Sequence, residues 1–537
     1  MAEPLIPVKV RDVGNDAEPL SPLDLERLVP LPPPYDRLDP AELWKELSDE
    51  RQGRVDASLD GVSALSLPRH RDREEEQRLL DGFVSGLRKL LSADDNWTML
   101  QPLALSLELC AHCQSCAEAC PIYLGSGRNE AYRPTFRGDV LRRLKARFGP
   151  GGNALASALA GRVELNLNTL ARLAELAHRC TLCRRCTQAC PIGVDNGLIA
   201  RELRKLFSQE LGIAASEAHA NGSMLHLAAG STTGMPPAAV KDNVEFIDEE
   251  MSERVGFPVR TPWDREGADV LLLHNAGEIL SWPENIGAFA VILEAAGVSW
   301  TMSSELAGYD AVNYGLWYDD VQLARVALRH MEIARKLKVR KIVIGECGHA
   351  HKALAVVADR LLGSEGSIPR ESSFTLLADL VTSGRLRLDP SRNDFPVTLH
   401  DPCNVVRGMG IVEPQRRILR AIAPRFREMH PHGVDNYCCG GGSGFAIMSA
   451  NNFANWRMLV AGRMKLKQVL EAFAGELDAD TPKYLCSPCS NCKGQFRDLF
   501  RAYGVWERSR ILYGGLVELI VNAMVDVKPG FIEWEFR

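Results

Sequence analysis

Long apolar runs are missing from this sequence, and no stretch reaches the roughly 18 residues expected of a membrane-spanning helix. The first residues lack a basic patch followed by an apolar core, so we expect no secretory signal. A net basic charge is also missing: the formal net charge of −6 argues against a dedicated nucleic-acid binder. We therefore expect a cytoplasmic protein with no direct membrane span, which contacts a membrane only through partners.

Nucleotide-binding signatures are absent as well. The glycine run at 440–444 is not followed by G-K-[ST], which argues against a loop that cradles phosphate. No G-x-G-x-x-G follows a predicted strand, so a flavin or nicotinamide nucleotide would have to be carried by a separate protein.

Cysteine, in contrast, is abundant. The 537 residues have an ordinary globular composition, 46% hydrophobic and 25% charged, but 15 of them are cysteines. Eight lie between Cys110 and Cys190 and six between Cys403 and Cys492, whereas Cys347 stands alone. Clustered cysteines in a chain expected in the cytoplasm predict metal binding or redox chemistry rather than structural disulfides.

Composition and periodicity divide the chain into five predicted parts. An N-terminal arm and helix come first, and the arm is either docked on a partner or loosely ordered. A cysteine-rich helical block follows, then a linker containing "AAGSTTGMPP", then two parts in which short apolar runs alternate with helical patterns. The predicted boundaries are 1–98, 99–212, 213–262, 263–390 and 391–537.

The last two parts read as copies of one α/β module. "DVLLLHNAG" opens the first copy and "PVTLHDPCN" opens the second. Each copy then has a loop, "VNYG" or "NYCCG", and later an apolar run with a turn, "GECGHAHKAL" or "CSPCSNCKGQF". Only the second copy keeps its cysteines, so we predict a duplicated module with one working site.

Two cysteine motifs with identical spacing define the helical block. "CAHCQSCAEACP" and "CTLCRRCTQACP" both read C-x2-C-x2-C-x3-C-P, the bacterial-type [4Fe–4S] signature in which the fourth cysteine ligates the other cluster. The spacing therefore predicts two cubane [4Fe–4S] clusters. The predicted ligands are Cys110, Cys113, Cys116 and Cys190 for one cluster, and Cys180, Cys183, Cys186 and Cys120 for the other.

Structural zinc is the alternative for these motifs, and four cysteines within eleven residues, repeated with the proline, argue against it. The 59 residues between the motifs are too many for a compact small ferredoxin. That length fits the α-helical ferredoxin domains of respiratory iron–sulfur subunits.

The second copy of the α/β module carries its own cysteine pattern. Cys403 is followed about 35 residues later by Cys438-Cys439-Gly440, and then by C-x2-C. This arrangement resembles the CCG (cysteine-rich) domain of heterodisulfide reductase subunits and of the iron–sulfur subunits of glycolate, lactate and glycerol-phosphate dehydrogenases. The resemblance covers about 268–537, or about 99–537 with the ferredoxin block. It implies an α-helical dicluster ferredoxin domain followed by a duplicated α/β CCG domain.

The resemblance also implies a third cofactor. In heterodisulfide reductases such a module holds a noncubane [4Fe–4S] cluster on five cysteines, which here would be Cys403, Cys438, Cys439 and a C-x2-C pair. Adjacent thiols hardly bond each other without strain, but each could bridge irons of one open cluster. The glycines after them would let the backbone approach the cluster and leave room for a substrate sulfur.

Two cysteine pairs have the required spacing, Cys486/Cys489 and Cys489/Cys492. The family tends to place an amide residue and then a large apolar residue just after the final cysteine. "CKGQF" fits that habit, so the resemblance favours Cys489 and Cys492 and leaves Cys486 as a spare or alternative ligand.

The order of the motifs and the form "GECGHA" narrow the resemblance to heterodisulfide reductase D-like subunits, and most of all to the DsrK type of the DsrMKJOP membrane complexes. In that family the subunit sits on the inner face of the cell membrane, against a cytochrome b subunit (DsrM-like) and other complex subunits. It exchanges electrons between the quinone pool and a DsrC-like sulfur carrier protein, cycling a disulfide or trisulfide in dissimilatory sulfur metabolism.

Further candidates surround this predicted centre. Cys347 occupies the place of the cluster-binding turn in the first copy, and it is a redox thiol, an extra ligand or a buried structural thiol. His400, like His349 and His351, is either a proton donor for thiol release or an ordinary core or surface histidine. The candidate catalytic residues are Cys438, Cys439, Cys347 and His400.

Three hypotheses follow. The first is a heterodisulfide reductase-like oxidoreductase acting on sulfur groups, and the second is an electron-relay subunit of a glycolate, lactate or glycerol-phosphate dehydrogenase. Loss of the first copy's cysteines weighs against the relay, because such subunits usually keep both sets. The third hypothesis is a zinc-stapled scaffold without redox function.

Overall fold

A computed structural model of the chain describes residues 7–16, 19–44, 59–65, 72–363 and 367–536. The chain forms two compact units, which we describe separately. The ferredoxin unit comprises residues up to Ala218 together with Trp317–Asp319 and Tyr437–Lys467. The two-sheet unit comprises His219–Leu316, Asp320–Asn436 and Gln468–Arg537.

Most of the regular structure is helical. The α-helices up to the first strand are α1 (Arg73–Leu90), α2 (Leu100–Glu108), α3 (Ser115–Ala119), α4 (Pro121–Gly125), α5 (Pro134–Phe148), α6 (Ala154–Ala160), α7 (Leu167–His178), α8 (Arg185–Gln188), α9 (Asn196–Leu211), α10 (Leu225–Ala229) and α11 (Pro237–Val255). Those after it are α12 (Ala276–Ser281), α13 (Pro283–Ala295), α14 (Asp320–Lys336), α15 (Gly348–Lys352), α16 (Ala358–Leu362), α17 (Ser373–Thr382), α18 (Cys403–Val406), α19 (Glu413–Ile422), α20 (Phe453–Trp456), α21 (Arg463–Ala472), α22 (Ser490–Tyr503), α23 (Val505–Ser509) and α24 (Leu516–Ala523).

The strands all belong to the two-sheet unit. They are β1 (Val270–Leu273), β2 (Trp300–Thr301), β3 (Lys341–Ile344), β4 (Arg370–Ser372), β5 (Val397–Leu399), β6 (Phe426–Arg427), β7 (Lys483–Cys486) and β8 (Ile511–Gly514). They form two four-stranded sheets with the orders β2-β1-β3-β4 and β6-β5-β7-β8. Every pairing is parallel, and the two orders are the same pattern repeated, so the predicted α/β duplication is confirmed.

Burial of apolar strands fixes the register of both sheets. Leu272 of β1 pairs with Val343 of β3, and the equivalent Thr398 of β5 pairs with Leu485 of β7. Helices from both copies share one hydrophobic core, which includes residues of α11, α13, α17, α19 and α24. Within this unit the two copies therefore fold as one body around a common core.

The ferredoxin unit is built around α9. This helix begins after Asp195, whose side chain accepts a hydrogen bond from Leu198 N, and it ends at Gly212 in the left-handed conformation. It packs against α1, α2, α5 and α7. The predicted helical pattern of 73–95 appears as α1, with Leu79, Phe83 and Leu87 buried on one stripe.

Several segments outside the two cysteine-rich parts are also ordered. The described pieces of the predicted N-terminal arm form short 3-10 turns with Val13 and Tyr35 buried, and residues 1–6, 17–18, 45–58 and 66–71 lie outside the described residues. The interval 213–262 contains α11, whose apolar face enters the core of the two-sheet unit. No helix in the described part of the chain has the length and apolarity to span a membrane.

Candidate metal centres

The two ferredoxin-type motifs have the same backbone path. In each motif the second residue after the first cysteine and the residue after the second cysteine have left-handed φ angles: His112 (53°), Gln114 (66°), Leu182 (52°) and Arg184 (59°). Side chains other than glycine seldom adopt this conformation, and it occurs where the surroundings enforce it. The matching pairs turn both motifs so that their first three thiols converge.

The first group of thiols includes one cysteine from the other motif. Burial, together with the neighbouring thiols of Cys120, Cys110, Cys190 and Cys113, raises the pKa of Cys116 to about 12. Cys190 of the second motif thus lies with the first three cysteines of the first motif.

The second group has the reciprocal composition. Burial raises the pKa of Cys186 strongly, and Cys183, Cys180 and Cys120 act in the same direction. Burial also raises the pKa of Cys120 to about 12, with contributions from Cys183 and Cys180. Thiols packed this closely cannot all ionise unless a cation compensates them, so each group of four fits the demands of an iron–sulfur cluster.

Water reaches the two groups unequally. Cys113 is exposed and Cys110 is half-buried, whereas Cys180 and Cys186 are buried. Cys116 of the first group is also buried, and Cys120 and Cys183 of the second are half-buried, so the first group lies nearer the surface of the ferredoxin unit than the second.

The paired cysteines belong to the same unit. Cys438 and Cys439 are buried, and their sulfurs accept backbone hydrogen bonds from Gly440 N (3.5 Å) and Gly441 N (3.4 Å). Gly442 follows, and a Cβ atom added there would lie 2.7 Å from the carbonyl oxygen of Thr181 and 3.6 Å from Cys438 Sγ. The glycine loop thus packs directly on the second ferredoxin motif.

Arg204 of α9 ties this loop to the second motif. Its guanidinium donates to Cys180 O (2.8 Å), to Ala177 O (3.0 Å) and to Ser443 O (3.1 Å), and also to the Ser443 hydroxyl. Burial lowers the pKa of Arg204 to about 10, so the group remains protonated at neutral pH.

The other candidate cysteines lie in the two-sheet unit, at the carboxyl ends of central strands. Cys403 is buried and begins α18, shortly after β5. Cys489 is the residue that precedes α22, and Cys492 is buried in the first turn of that helix. A helix amino terminus favours a thiolate at Cys489, and Gly348 N adds a hydrogen bond to its sulfur at 3.2 Å.

Cys347 is the structural counterpart of Cys489. Each follows the equivalent strand, each donates its amide to the carbonyl two residues earlier at 2.7 Å, and each is the N-cap residue of the following helix. Burial raises the pKa of the Cys347 thiol, and the neighbouring Cys489 raises it further. The structure thus brings the lone cysteine of the first copy to a candidate ligand of the second.

Cys486 occupies a different environment. It ends β7 and belongs to the hydrophobic core of the two-sheet unit. Burial raises its pKa far above the usual range, and the carboxyl groups of Glu346 and Glu518 act in the same direction. These surroundings disfavour the thiolate that a ligand requires.

His400 lies close to one predicted ligand. A ring nitrogen of His400 and Cys492 Sγ are within 4.8 Å of each other, and the ring meets Phe496 edge-on at 5.2 Å. His351 instead contacts Cys347 O and the Ser372 hydroxyl, both at 2.8 Å. Burial lowers the pKa of His351 to about 4, so this imidazole stays neutral near pH 7.

A buried charge cluster beneath the two turns was missed by the sequence analysis. Lys493 Nζ lies 3.1 Å from Glu278 Oε1, and both side chains are inaccessible to water. Burial raises the pKa of Glu346 to about 7, and its Oε1 accepts hydrogen bonds from Leu516 N (2.8 Å) and Val517 N (3.2 Å). The sequence does place a charged residue next to a turn cysteine in each copy, in "GEC" and "CK", and this pattern could have indicated the buried charges.

The described residues contain two thiol-rich regions of different kinds, and both lie within domains that match known families. Residues 106–194 match the 4Fe-4S dicluster domain, and residues 397–497 match the cysteine-rich domain abbreviated CCG. The chain therefore carries a dicluster domain followed by a CCG domain, as predicted.

Similarity to whole proteins extends over most of the chain. The "Hdr-like menaquinol oxidoreductase iron-sulfur subunit 2" of Archaeoglobus fulgidus is 26% identical, over 90% of this chain and 92% of its own. The D component of the dihydromethanophenazine:CoB–CoM heterodisulfide reductase of Methanosarcina barkeri is 24% identical, over 78% and 94%. The "EtfAB:quinone oxidoreductase" of Syntrophomonas wolfei is 21% identical, over 78% and 58%. The resemblance to heterodisulfide reductase D-like iron–sulfur subunits is thereby confirmed.

Proposed function

We propose that this chain is the catalytic iron–sulfur subunit of a membrane-associated redox complex. It exchanges electrons between a quinone-linked cytochrome b subunit and a protein disulfide or trisulfide on a DsrC-like sulfur carrier, in dissimilatory sulfur metabolism. The names of two relatives support this assignment, since one is called a menaquinol oxidoreductase subunit and the other a heterodisulfide reductase subunit. The complex lies on the cytoplasmic face of the membrane, and other subunits anchor the chain there.

The crossed thiol groups of the ferredoxin unit would hold two cubane clusters, and Cys403, Cys438, Cys439, Cys489 and Cys492 would hold a noncubane cluster. The chemistry that the noncubane cluster supplies is binding of a substrate sulfur and division of a two-electron S–S cleavage into one-electron steps. Cys486 is the spare or alternative ligand, because it lies in the hydrophobic core near the carboxyl groups of Glu346 and Glu518.

One observation carries the catalytic assignment: the close approach of the glycine loop to the second ferredoxin motif. The peptide of Thr181 follows Cys180 and packs on Gly442, whose position lies near the Cys438 sulfur. An electron on the cluster of the second thiol group would therefore have a short route to the paired cysteines. The route runs through bonded atoms and the contact between Thr181 and Gly442.

Cys347 and His400 serve the same chemistry. Cys347 stands beside Cys489 and acts as a redox thiol or extra ligand at the substrate side. The His400 ring is within 4.8 Å of Cys492 Sγ and supplies a proton to the departing thiolate of the substrate.

The test is Cys439→Ala, with Cys486→Ala as the matched control because both remove a buried thiol. We expect Cys439→Ala to abolish disulfide turnover while the reduced-state paramagnetic signals of the cubanes persist, and Cys486→Ala to keep both. A paramagnetic species in the oxidised parent that changes with a thiol substrate, and that is lost in Cys439→Ala, would identify the noncubane cluster. Full disulfide turnover by Cys439→Ala would overturn the proposal.

The second candidate is an electron relay between a flavin dehydrogenase and quinone. Similarity to the "EtfAB:quinone oxidoreductase" of Syntrophomonas wolfei favours it. In that case the protein purified from its native host would bring a flavoprotein with it, and reduced flavoprotein would reduce the cubanes without any disulfide. Purification with a cytochrome b subunit and a thiolated carrier supports the first candidate instead.

A further inference from the structure

Arg204 is a buried cation without a carboxylate partner in the part of the chain that the structure describes. Only 1% of the residue is exposed. All of its hydrogen-bond acceptors are neutral: three carbonyl groups and the Ser443 hydroxyl. The one anionic influence on it comes from the thiol of Cys180, a predicted ligand of the second cubane.

Arg137 of α5 is a second cation of this kind. It is 2% exposed, and among the described residues it has no hydrogen bond or ion pair. Its positive charge acts on Cys120, the ligand that the first motif contributes to the second group, by lowering the pKa of that thiol against the larger effect of burial. Arg137 also acts on Arg204, lowering its pKa, and the helices that carry the two residues, α5 and α9, pack against each other.

Two other buried cations of the ferredoxin unit do have acidic partners. Arg179 contacts Asp60 at 2.7 Å and Glu175 at 3.1 Å, and Lys205 contacts Glu202 at 2.7 Å. An unpaired buried charge is costly, so a protein keeps one where a counter-charge is supplied by something else. Both unpaired guanidiniums lie beside ligands of the same predicted cluster, whose four thiolates make it an anion.

We propose that Arg204 and Arg137 are the internal counter-charges of the second cubane and raise its reduction potential. The inference rests on the two cubanes of the proposed function but not on the disulfide chemistry. One-electron reduction makes the cluster more negative, and burial of the second group away from water disfavours that change. Two fixed cations nearby offset the penalty, because Coulomb energies are large where water is excluded. Arg204 also donates hydrogen bonds to Ser443 in the loop of the paired cysteines. It therefore supplies a positive charge and positions that loop.

The experiment is a redox titration of the anaerobic full-length holoprotein with dithionite, followed by electron paramagnetic resonance. Arg204→Gln removes the charge, Arg204→Lys keeps it, and Lys205→Gln removes a neighbouring cation that has its own carboxylate. We expect Arg204→Gln to lower the equilibrium constant for reduction of one cubane about tenfold, which is a shift of about 59 mV for one electron. The exposed first cubane is an internal control and should not move.

Arg137→Gln is the second variant and the cleaner electrostatic test, since Arg137 makes no hydrogen bond that its loss could break among the described residues. It should shift the same cubane in the same direction even if Arg204→Gln fails to fold. Retention of the parent value by Arg204→Lys supports the role of charge. Unchanged potentials in both Gln variants, or equal shifts of both cubanes, would overturn the inference. Iron content and the number of reduced-state signals test the cubanes themselves, and disulfide turnover tests the proposed function, so the three failures are distinguishable.

Discussion

The buried pair of Lys493 and Glu278 offers the sharpest stability prediction. Replacing Lys493 by Met leaves Glu278 without its partner, at a position that water does not reach. The same replacement takes away the positive charge near Glu346 and Glu518. These two carboxyl groups raise the pKa of Lys493, whereas burial lowers it. Removing one partner of a buried ion pair typically costs about 3–5 kcal/mol, most of it from the charge left behind.

The cost should depend on pH, and its sign follows from linkage. Burial raises the pKa of Glu346 to about 7, so the folded state holds a proton that the unfolded state releases at lower pH. The free energy of unfolding therefore falls as pH rises from the ordinary pKa of a glutamate to about 7. Loss of Lys493 removes a charge that lowers the pKa of Glu346, so in the variant this fall continues above pH 7. The Lys493→Met holoprotein should lose more stability above pH 7 than below it, measured by denaturant unfolding under anaerobic conditions.

Two controls separate charge from packing. Lys528→Met removes an exposed lysine of the same unit and should leave the unfolding midpoint unchanged. The double variant Lys493→Met/Glu278→Met removes both members of the pair and should recover much of the loss, because apolar replacement of a buried pair is often close to neutral. Equal destabilisation of Lys493→Met above and below pH 7, or none at all, would refute the reasoning.

Two further predictions concern other parts of the chain. Gly442→Ala places a Cβ atom 2.7 Å from Thr181 O, so it should lower the free energy of unfolding by about 1–3 kcal/mol and slow disulfide turnover. Gly82→Ala, whose nearest contact would be at 3.5 Å, should do neither. Parent-like turnover and unfolding of Gly442→Ala would contradict this prediction. Burial raises the pKa of Asp248 to about 6 despite hydrogen bonds from Thr261, so the free energy of unfolding should fall as pH rises from about 4 to 6. Asp248→Asn should flatten that slope in unfolding curves, and a slope equal to that of the parent would show that another group causes it.

Regular spacing made much of the fold predictable. The runs "ADVLLLH", "RKIVIGE" and "FPVTLHD" become β1, β3 and β5, because buried parallel strands are continuous apolar stretches. The edge strands β2 and β6 have two residues each, too few to produce a pattern. The helix α11 was missed although Val240, Val244 and Ile247 are spaced as on one helix face, because the small residues before it indicate a linker.

The candidate sites divide in the same way. The spacing of three ligands within each ferredoxin-type motif is a local property that the sequence shows directly. The known rule that the fourth cysteine ligates the other cluster then predicts which cysteines share a cluster. The partners of buried charges are not local: Glu278 and Lys493 are far apart in sequence and come together only when the two sheets pack. A lysine beside a turn cysteine, or an arginine within a helix, looks solvent-exposed until the surrounding elements are placed. The conformation of Gln114 and Arg184 is equally invisible, because no glycine indicates a left-handed turn there.

The hydrogen bond from Gly348 N to Cys489 Sγ has a consequence for how this gene can diverge. A repeat that has lost its metal ligands would ordinarily be free to shrink or disappear. Here the first copy still donates a hydrogen bond to a thiol of the second, and the second donates one in return, from Ser490 N to the Glu346 carbonyl at 2.7 Å. Deleting the cysteine-poor repeat would remove the hydrogen bond that Cys489 Sγ accepts from Gly348 N. The cysteine-poor copy is thus tied to the other by hydrogen bonds in both directions, so a change in the turn of one copy is felt by the turn of the other.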